Sequence, residues 1–182
     1  MQIRGRKIDR RKDRTMTITQ ICDMLRKELL NNGYEYGFVA DGKKYKPDMS
    51  NGFDSEYYQH SLTIYRVQEP LVTMREKIGT CVDAVLVMKQ LLDKHNISSK
   101  IWMLYNKEKR KVHAVLTFGS DGKVIYLELT PQSSKACYGK EIVYDDEQSF
   151  LKEYEKKNYE VSDVTDAVVI GQQPDFFLAK LK

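Results

Sequence analysis

The amino-acid sequence predicts a single α+β domain, in which helices and the strands of an antiparallel sheet occupy separate stretches of the chain. Residues 17–31 place apolar side chains at helical spacing, and a capping motif at Thr80 indicates the start of another helix. Residues 112–118 and 124–129 alternate instead and flank an Asp-Gly turn, which is typical of a β-hairpin. A chain of 182 residues is long enough for one well-buried core and awkward for two.

The net charge of +4 belongs to the beginning of the chain. Residues 1–14 contain seven basic and two acidic residues, so the rest of the chain is nearly neutral. We therefore divide the sequence into a basic N-terminal arm (1–16) and one domain (17–182). The basic residues between positions 4 and 14 are suited to contact nucleic acid or an acidic partner, and the alternative is a solvated tail without such a role.

Several classes of protein are disfavoured by the composition. Cys22, Cys81 and Cys137 form no C-x-x-C pair, which argues against a disulfide framework or a zinc cluster and favours a reducing compartment. The histidines have no metal-binding spacing, so neither a metal nor another cofactor is expected. We find neither a membrane span of ~20 apolar residues nor a secretory signal, and expect a cytoplasmic protein without a membrane partner.

The remaining elements are predicted from periodicity and turn residues. The helix at 17–31 ends before Gly33, and Asp41-Gly42 indicates a small hairpin. A long loop is expected next, followed by a strand at 61–67 and by a short helix that Pro70 begins. The helix at Thr80 should end near His95. A strand at 100–105, the hairpin, a helix at 147–157 and one or two edge strands after Tyr159 complete the expected domain.

Cys81 is the first candidate for chemistry, because an N-cap at Thr80 would place it at the first position of a helix. The backbone N–H groups at that position lack intrahelical partners and the helix dipole is positive there, so both effects stabilise a thiolate. The same N–H groups can stabilise an oxyanion when the sulfur attacks a carbonyl. The alternative is a core position, since Cys81 shares a helical face with Val85, Met88 and Leu92.

His113 and Glu128 are the candidates for a base and its orienting acid, because the hairpin register brings them together. A two- or four-residue loop around Asp121-Gly122 places His113 opposite Thr130 and Val115 opposite Glu128. Glu128 then lies diagonal to His113 on the same face, about 7–8 Å away between backbones and within reach of a hydrogen bond. Taken singly, His113 also fits a structural histidine and Glu128 a surface acid on an edge strand.

These segments resemble the transglutaminase-like superfamily, and bacterial transglutaminase-like cysteine peptidases in particular. The resemblance lies in G-T-C-V-D at the helix start, V-H-A-V-L-T-F about thirty residues later and V-I-Y-L-E-L after that, and it covers residues 62–132. It implies a papain-like core in which the helix that carries the cysteine packs on an antiparallel sheet. It further implies Cys81 as nucleophile, His113 as base and Glu128 as the acid.

The sequence departs from the family pattern at the acid. The family usually has aspartate followed directly by proline, whereas this chain has Glu128 and then Thr130 before Pro131. Alignment on the proline would put Thr130 at the acid position and imply an inactive site. We prefer Glu128 to Thr130 as the orienting acid, because only Glu128 carries an ionisable group. Neither Arg75 nor Gln68 is assigned as the upstream oxyanion donor of papain-like enzymes.

The expected function is thiol-dependent acyl transfer by a cysteine peptidase or amidase that acts on a peptide or protein through a thioester on Cys81. If an amine instead of water accepts the acyl group from this thioester, the reaction is that of a protein-glutamine transglutaminase. Two other classes stay open: a catalytically decayed binding module for a peptide or protein, and nucleic-acid binding through the arm.

Overall fold

A computed structural model describes residues 16–181 of the chain. The basic residues between positions 4 and 14, and with them the predicted nucleic-acid contact, lie outside the described residues. The division of the chain near residue 16 stays a prediction.

The described residues form six helices and nine strands. The helices are α1 (Ile18–Leu29), α2 (Ser55–Thr63), α3 (Pro70–Glu76), α4 (Cys81–Asp93), α5 (Glu147–Lys156) and α6 (Asp175–Leu181). The strands are β1 (Glu35–Tyr36), β2 (Phe38–Ala40), β3 (Lys43–Tyr45), β4 (Ile78–Gly79), β5 (Ser99–Asn106), β6 (Lys111–Ser120), β7 (Lys123–Leu127), β8 (Glu141–Tyr144) and β9 (Tyr159–Asp163).

The centre of the fold is a five-stranded sheet in the order β8-β7-β6-β5-β9, with every neighbouring pair antiparallel. Helices and an antiparallel sheet thus form the mixed architecture that the α+β class requires. The β6–β7 hairpin has the predicted register, from Ser120 opposite Lys123 to Thr117 opposite Tyr126. Asp121 and Gly122 both have positive φ, which the tight two-residue turn requires.

Apolar side chains cover both faces of this sheet. On one face, α1 and α4 bury residues such as Leu25 and Met88 against Leu116 and Phe118 of β6, and Cys22 is fully buried there. On the other face, α5 inserts Phe150 among aromatic side chains, which are Trp102, Tyr126, Tyr144 and Tyr154. The sheet is therefore a central layer between helices.

Two predictions about residues 47–67 are wrong. The predicted loop ends at Asp54, whose side chain accepts a hydrogen bond from Tyr57 N at 2.9 Å and caps α2. The predicted strand at 61–67 overlaps the end of that helix, and residues 64–67 do not form a strand. Its alternation is still reflected in burial, because Tyr65 and Val67 are buried while Arg66 is exposed. The backbone of Val67 bonds only to residues 171 and 172, so no continuous ladder forms.

Replacement of Phe150 by alanine is expected to lower the free energy of unfolding by about 3–5 kcal/mol, because it opens a cavity at the centre of the aromatic cluster on α5. Urea unfolding measured by circular dichroism checks this value. Phe53→Ala is the matched control, because Phe53 is 65% exposed and its loss should change the stability by no more than about 0.5 kcal/mol. Equal losses in the two variants would contradict the assignment of Phe150 to the core.

Candidate active site

The first turn of α4 has the predicted capping box. Thr80 accepts a hydrogen bond from Asp83 N through its hydroxyl, and Asp83 Oδ2 accepts one from Thr80 N at 2.9 Å. Cys81 is consequently the first helical residue, and its N–H belongs to the group that has no partner within the helix. The residue is 6% exposed, so its sulfur lies in the wall of a cavity rather than on an open surface.

Asp83 organises the chain in front of this helix. Its carboxylate is fully buried, and its Oδ1 accepts hydrogen bonds from Tyr65 Oη at 2.9 Å and from Gln68 N at 2.8 Å. Burial raises the pKa of Asp83, and the hydrogen bonds from Thr80, Gln68 and Tyr65 oppose that rise. Asp83 is thus the acid of the capping box, and the same carboxylate also holds residues 65–68 against the helix start.

A short parallel bridge places Tyr36 next to the residues that precede Cys81. Strand β1 pairs with β4 so that Tyr36 lies beside Gly79. A Cβ atom at Gly79 would lie 2.9 Å from Thr73 Cγ2 and 3.1 Å from Asp83 Cβ, so only glycine fits between them. This close packing fixes the backbone at the entry to α4.

Neither of the two residues considered as an upstream oxyanion donor is available for that role. The Gln68 amide donates to Thr73 Oγ1 at 2.9 Å and to Ile78 O at 3.0 Å, while its oxygen accepts from Val39 N. Arg75 is largely exposed and pairs with its neighbour Glu76. Both side chains are therefore engaged elsewhere.

His113 and Glu128 meet as the sequence predicts, with His113 Nε2 2.8 Å from Glu128 Oε2. The paired ladder of the hairpin stops at Thr117 and Tyr126, so the expected pairing of His113 with Thr130 is not part of it. Strand β7 ends at Leu127, and Glu128 forms an isolated bridge with Tyr138 instead. The side-chain contact thus forms just beyond the point where the two strands stop pairing.

The Glu128 carboxylate is only 2% exposed and has three hydrogen-bonding partners and one further ion-pair partner. Besides His113, Oε2 accepts from Tyr126 Oη at 2.7 Å and pairs with Lys135 Nζ at 3.0 Å, while Oε1 accepts from Thr130 N at 2.9 Å. Burial alone would raise the pKa of Glu128, but the hydrogen bond and charge of His113 and the charge of Lys135 outweigh it and hold that pKa well below its usual range. Glu128 is therefore ionised at neutral pH.

The contacts of His113 also involve Cys81. Burial lowers the pKa of His113, but the interactions with Cys81 and Glu128, including the negative charges of both groups, outweigh burial and raise the pKa to about 9. Nε2 is engaged with Glu128, so Nδ1 is the ring nitrogen without a hydrogen-bond partner among the described residues. The structure thus joins His113 to Glu128, and the influence of Cys81 on the pKa of His113 indicates that the thiol lies near the same ring.

Sequence reasoning missed three side chains around these groups. Tyr126 lies two residues before Glu128 and shares its strand face, so the alternation of β7 could have indicated it. Lys135 comes from the irregular loop after Pro131, and Tyr36 arrives through the β1–β4 bridge. Neither of these two contacts has a local sequence signal.

Two depressions adjoin the site. One has a volume of about 190 Å³ and is lined by Cys81, and the other has about 700 Å³ and is lined by His113. Tyr36, Tyr57 and Tyr58 line both of them. The thiol and the imidazole therefore belong to the linings of two different depressions that share these tyrosines.

Residues 16–181 contain no group of three or more His, Cys, Asp or Glu side chains placed to hold a metal ion. Over the same residues, no helix combines the length and the apolar character needed to cross a bilayer.

Comparison with known proteins returned no match, either among models of protein families or among curated sequences.

Replacement of Asp83 by asparagine is expected to destabilise the fold by about 2–4 kcal/mol, because an amide NH₂ would face hydrogen-bond donors in a fully buried position. Chemical denaturation provides the measurement. Asp93→Asn at the exposed end of the same helix is the control and should change stability by less than about 0.5 kcal/mol. A neutral effect of Asp83→Asn would show that the carboxylate does not organise the helix start.

Replacement of Glu128 by glutamine is expected to lower the pKa of His113 below about 9, because it removes a hydrogen bond and a negative charge. In the native protein the folded-state pKa is raised from 6.5. The resulting stabilisation is therefore complete below pH 6.5 and is lost as the pH rises through about 9. NMR titration of the imidazole Cε1 proton measures the change, with the signals of His60 and His95 as internal references. An unaltered titration of His113 in the variant would refute the pairing.

Proposed function

We propose that this protein is a thiol-dependent acyl-transfer enzyme, most simply a cysteine peptidase or amidase, built on a papain-like core of the transglutaminase-like kind. The observation that carries the proposal is the position of His113, whose Nε2 lies 2.8 Å from the buried Glu128 carboxylate, together with Cys81 at the first position of α4. A sulfur at a helix start, a histidine and a buried carboxylate are the parts of a nucleophilic triad.

In the proposed reaction, Cys81 and His113 act as a thiolate–imidazolium pair. The sulfur attacks the carbonyl carbon of an amide, and the carbonyl π electrons move onto oxygen to give a tetrahedral oxyanion. The Cys81 N–H, free of an intrahelical partner, donates a hydrogen bond to that oxygen. When the intermediate collapses, the C–N bond breaks and His113 gives its proton to the leaving amine. A thioester on Cys81 remains.

The thioester is then transferred to water, and the now neutral His113 accepts the proton of the attacking water. Loss of the sulfur restores the thiolate and releases a carboxylic acid. An amine in place of water would complete an amide transfer through the same intermediate, so transglutaminase chemistry is the alternative outcome. In both cases Glu128 stays ionised and holds the imidazole in the required orientation.

The depression beside His113 supports a peptide or protein as substrate. Its volume of about 700 Å³ is within the range of ligand sites, and it is open along the loop that carries the exposed Met49 and Phe53. Lys111 and Lys135 also line it. An extended peptide segment with apolar and acidic side chains fits this lining.

A binding module with a decayed site is the second candidate. The low exposure of Cys81, at 6%, favours it because a buried thiol is usually an inert core residue. In such a protein the groove beside His113 would hold a partner peptide without cleaving it. The two candidates differ in whether the sulfur reacts.

Alkylation by iodoacetamide tests the proposed function. We expect Cys81 to react at pH 7 at least about tenfold faster than Cys137, and His113→Gln to remove that advantage because the imidazolium is lost. Mass spectrometry of the digested protein measures the modification of each cysteine. The alkylation rate of Cys81 should stay high and nearly independent of pH through the neutral range. It should begin to depend on pH near 9, where His113 deprotonates.

Cys137→Ala is the matched control, since it removes a partly exposed cysteine outside the site and should leave the reactivity of Cys81 unchanged. If Cys81 proves no more reactive than Cys137, and His113→Gln alters neither, the enzyme proposal fails and the binding module is favoured.

A further inference from the structure

The small cavity beside Cys81 is a partly open pocket with an uncharged lining. Its walls come from the tyrosines of α2, from the start of α4 and from α6. None of the described residues that line it is acidic or basic, whereas the groove that shares these tyrosines contains Lys111 and Lys135. The two depressions therefore differ in the ligand chemistry they accept.

The cavity also holds a hydroxyl group without a partner. Tyr57 Oη is buried and makes no hydrogen bond within the described part of the chain. Its environment includes Cys81, because burial first and the negative charge of Cys81 second raise the pKa of Tyr57. This hydroxyl has almost no accessible surface, so an acceptor atom of a bound ligand reaches it only when neighbouring side chains shift, and the bond then formed would satisfy a donor that the protein leaves unpaired.

The outer wall, α6, is held in place at several points. Phe177 packs into the main core, and Leu178 is 9% exposed. The guanidinium of Arg110 donates to Leu181 O at 3.3 Å, and Lys180 pairs with Glu160. The wall is therefore a fixed part of the fold, and the size of the cavity is set by the side chains on it.

We propose that this cavity is the subsite for the acyl side of the substrate, where it accepts one uncharged, mainly aliphatic group. The inference rests on the proposed function, because the group attached to the attacked carbonyl must lie next to the sulfur. The volume of about 190 Å³ is below the ~300–1,000 Å³ typical of pockets that enclose a whole ligand, so it suits one small group of a substrate. Charged groups are excluded because no lining residue can pair with them.

p-Nitrophenyl esters of straight-chain acids, from acetate to decanoate, test the subsite on the full chain. In the native protein kcat/KM should rise with chain length up to about six carbons and then fall. Leu178→Trp should reduce the ratio of hexanoate to acetate turnover at least about tenfold, because the indole fills the cavity. Leu178→Ala should move the optimum to longer esters. Leu71→Trp is the control, because Leu71 is 61% exposed on α3 and lies outside the cavity.

Tyr57→Phe provides a readout that does not depend on altering α6. Because the hydroxyl has no partner in the chain, its removal should leave unfolding unchanged while lowering kcat/KM for hexanoate about tenfold. The tests separate the two proposals. Chain-length profiles that stay the same in both Leu178 variants, with acetate hydrolysis and alkylation of Cys81 intact, would overturn the subsite alone. Absence of both acetate hydrolysis and enhanced alkylation in the native protein would overturn the proposed function and the subsite with it.

Discussion

The constraint on which the site depends is the buried charge of Glu128. A carboxylate that is 2% exposed is tolerated only when its hydrogen-bonding capacity is filled and its charge is compensated. The partners come from separate parts of the chain: His113 from β6, Tyr126 from β7, and Lys135 with Thr130 from the segment that follows β7. The requirement to satisfy one carboxylate therefore fixes the relative positions of two strands and a loop.

The two buried acids of this region have opposite electrostatic behaviour, although both are well bonded. Asp83 is surrounded by neutral donors, and burial raises its pKa. Glu128 has an imidazole and an ammonium group as partners, and their charges lower its pKa in spite of burial. This difference separates their roles. Asp83 connects the chain around the helix start, whereas Glu128 places its negative charge beside His113 and, after Cys81, is the second group that raises the pKa of that histidine.

Local signals were sufficient for the parts of the site that the sequence predicted. The Thr80–Asp83 capping box and the Asp121-Gly122 turn each act over a few residues, so the start of α4 and the hairpin register follow from the sequence itself. The register then brings Glu128 to His113. These features account for the placement of the main candidate residues.

Other parts of the fold depend on contacts between distant segments, and the sequence did not predict them. Helix α2 has no fully buried residue and therefore lacks a clear apolar stripe, so the sequence predicts a loop at its start. Helix α6 has seven residues, two of them buried, and is too short to produce a reliable period. Lys135 lies in an irregular loop whose path is set by the charge it meets. The catalytic candidates were thus predictable, and the walls around them were not.

The burial of Cys81 has two consequences for the proposed chemistry. Exclusion of water strengthens the interaction between the sulfur and His113, because a charge pair interacts more strongly where the dielectric constant is low. The same exclusion restricts the sulfur to groups that can enter the small cavity. Tyr36, Tyr57 and Tyr58 line both that cavity and the groove of His113, so a substrate that occupies both would contact these side chains. Reactivity and selectivity would then have one physical origin, the enclosure of the thiol between α2, α4 and α6.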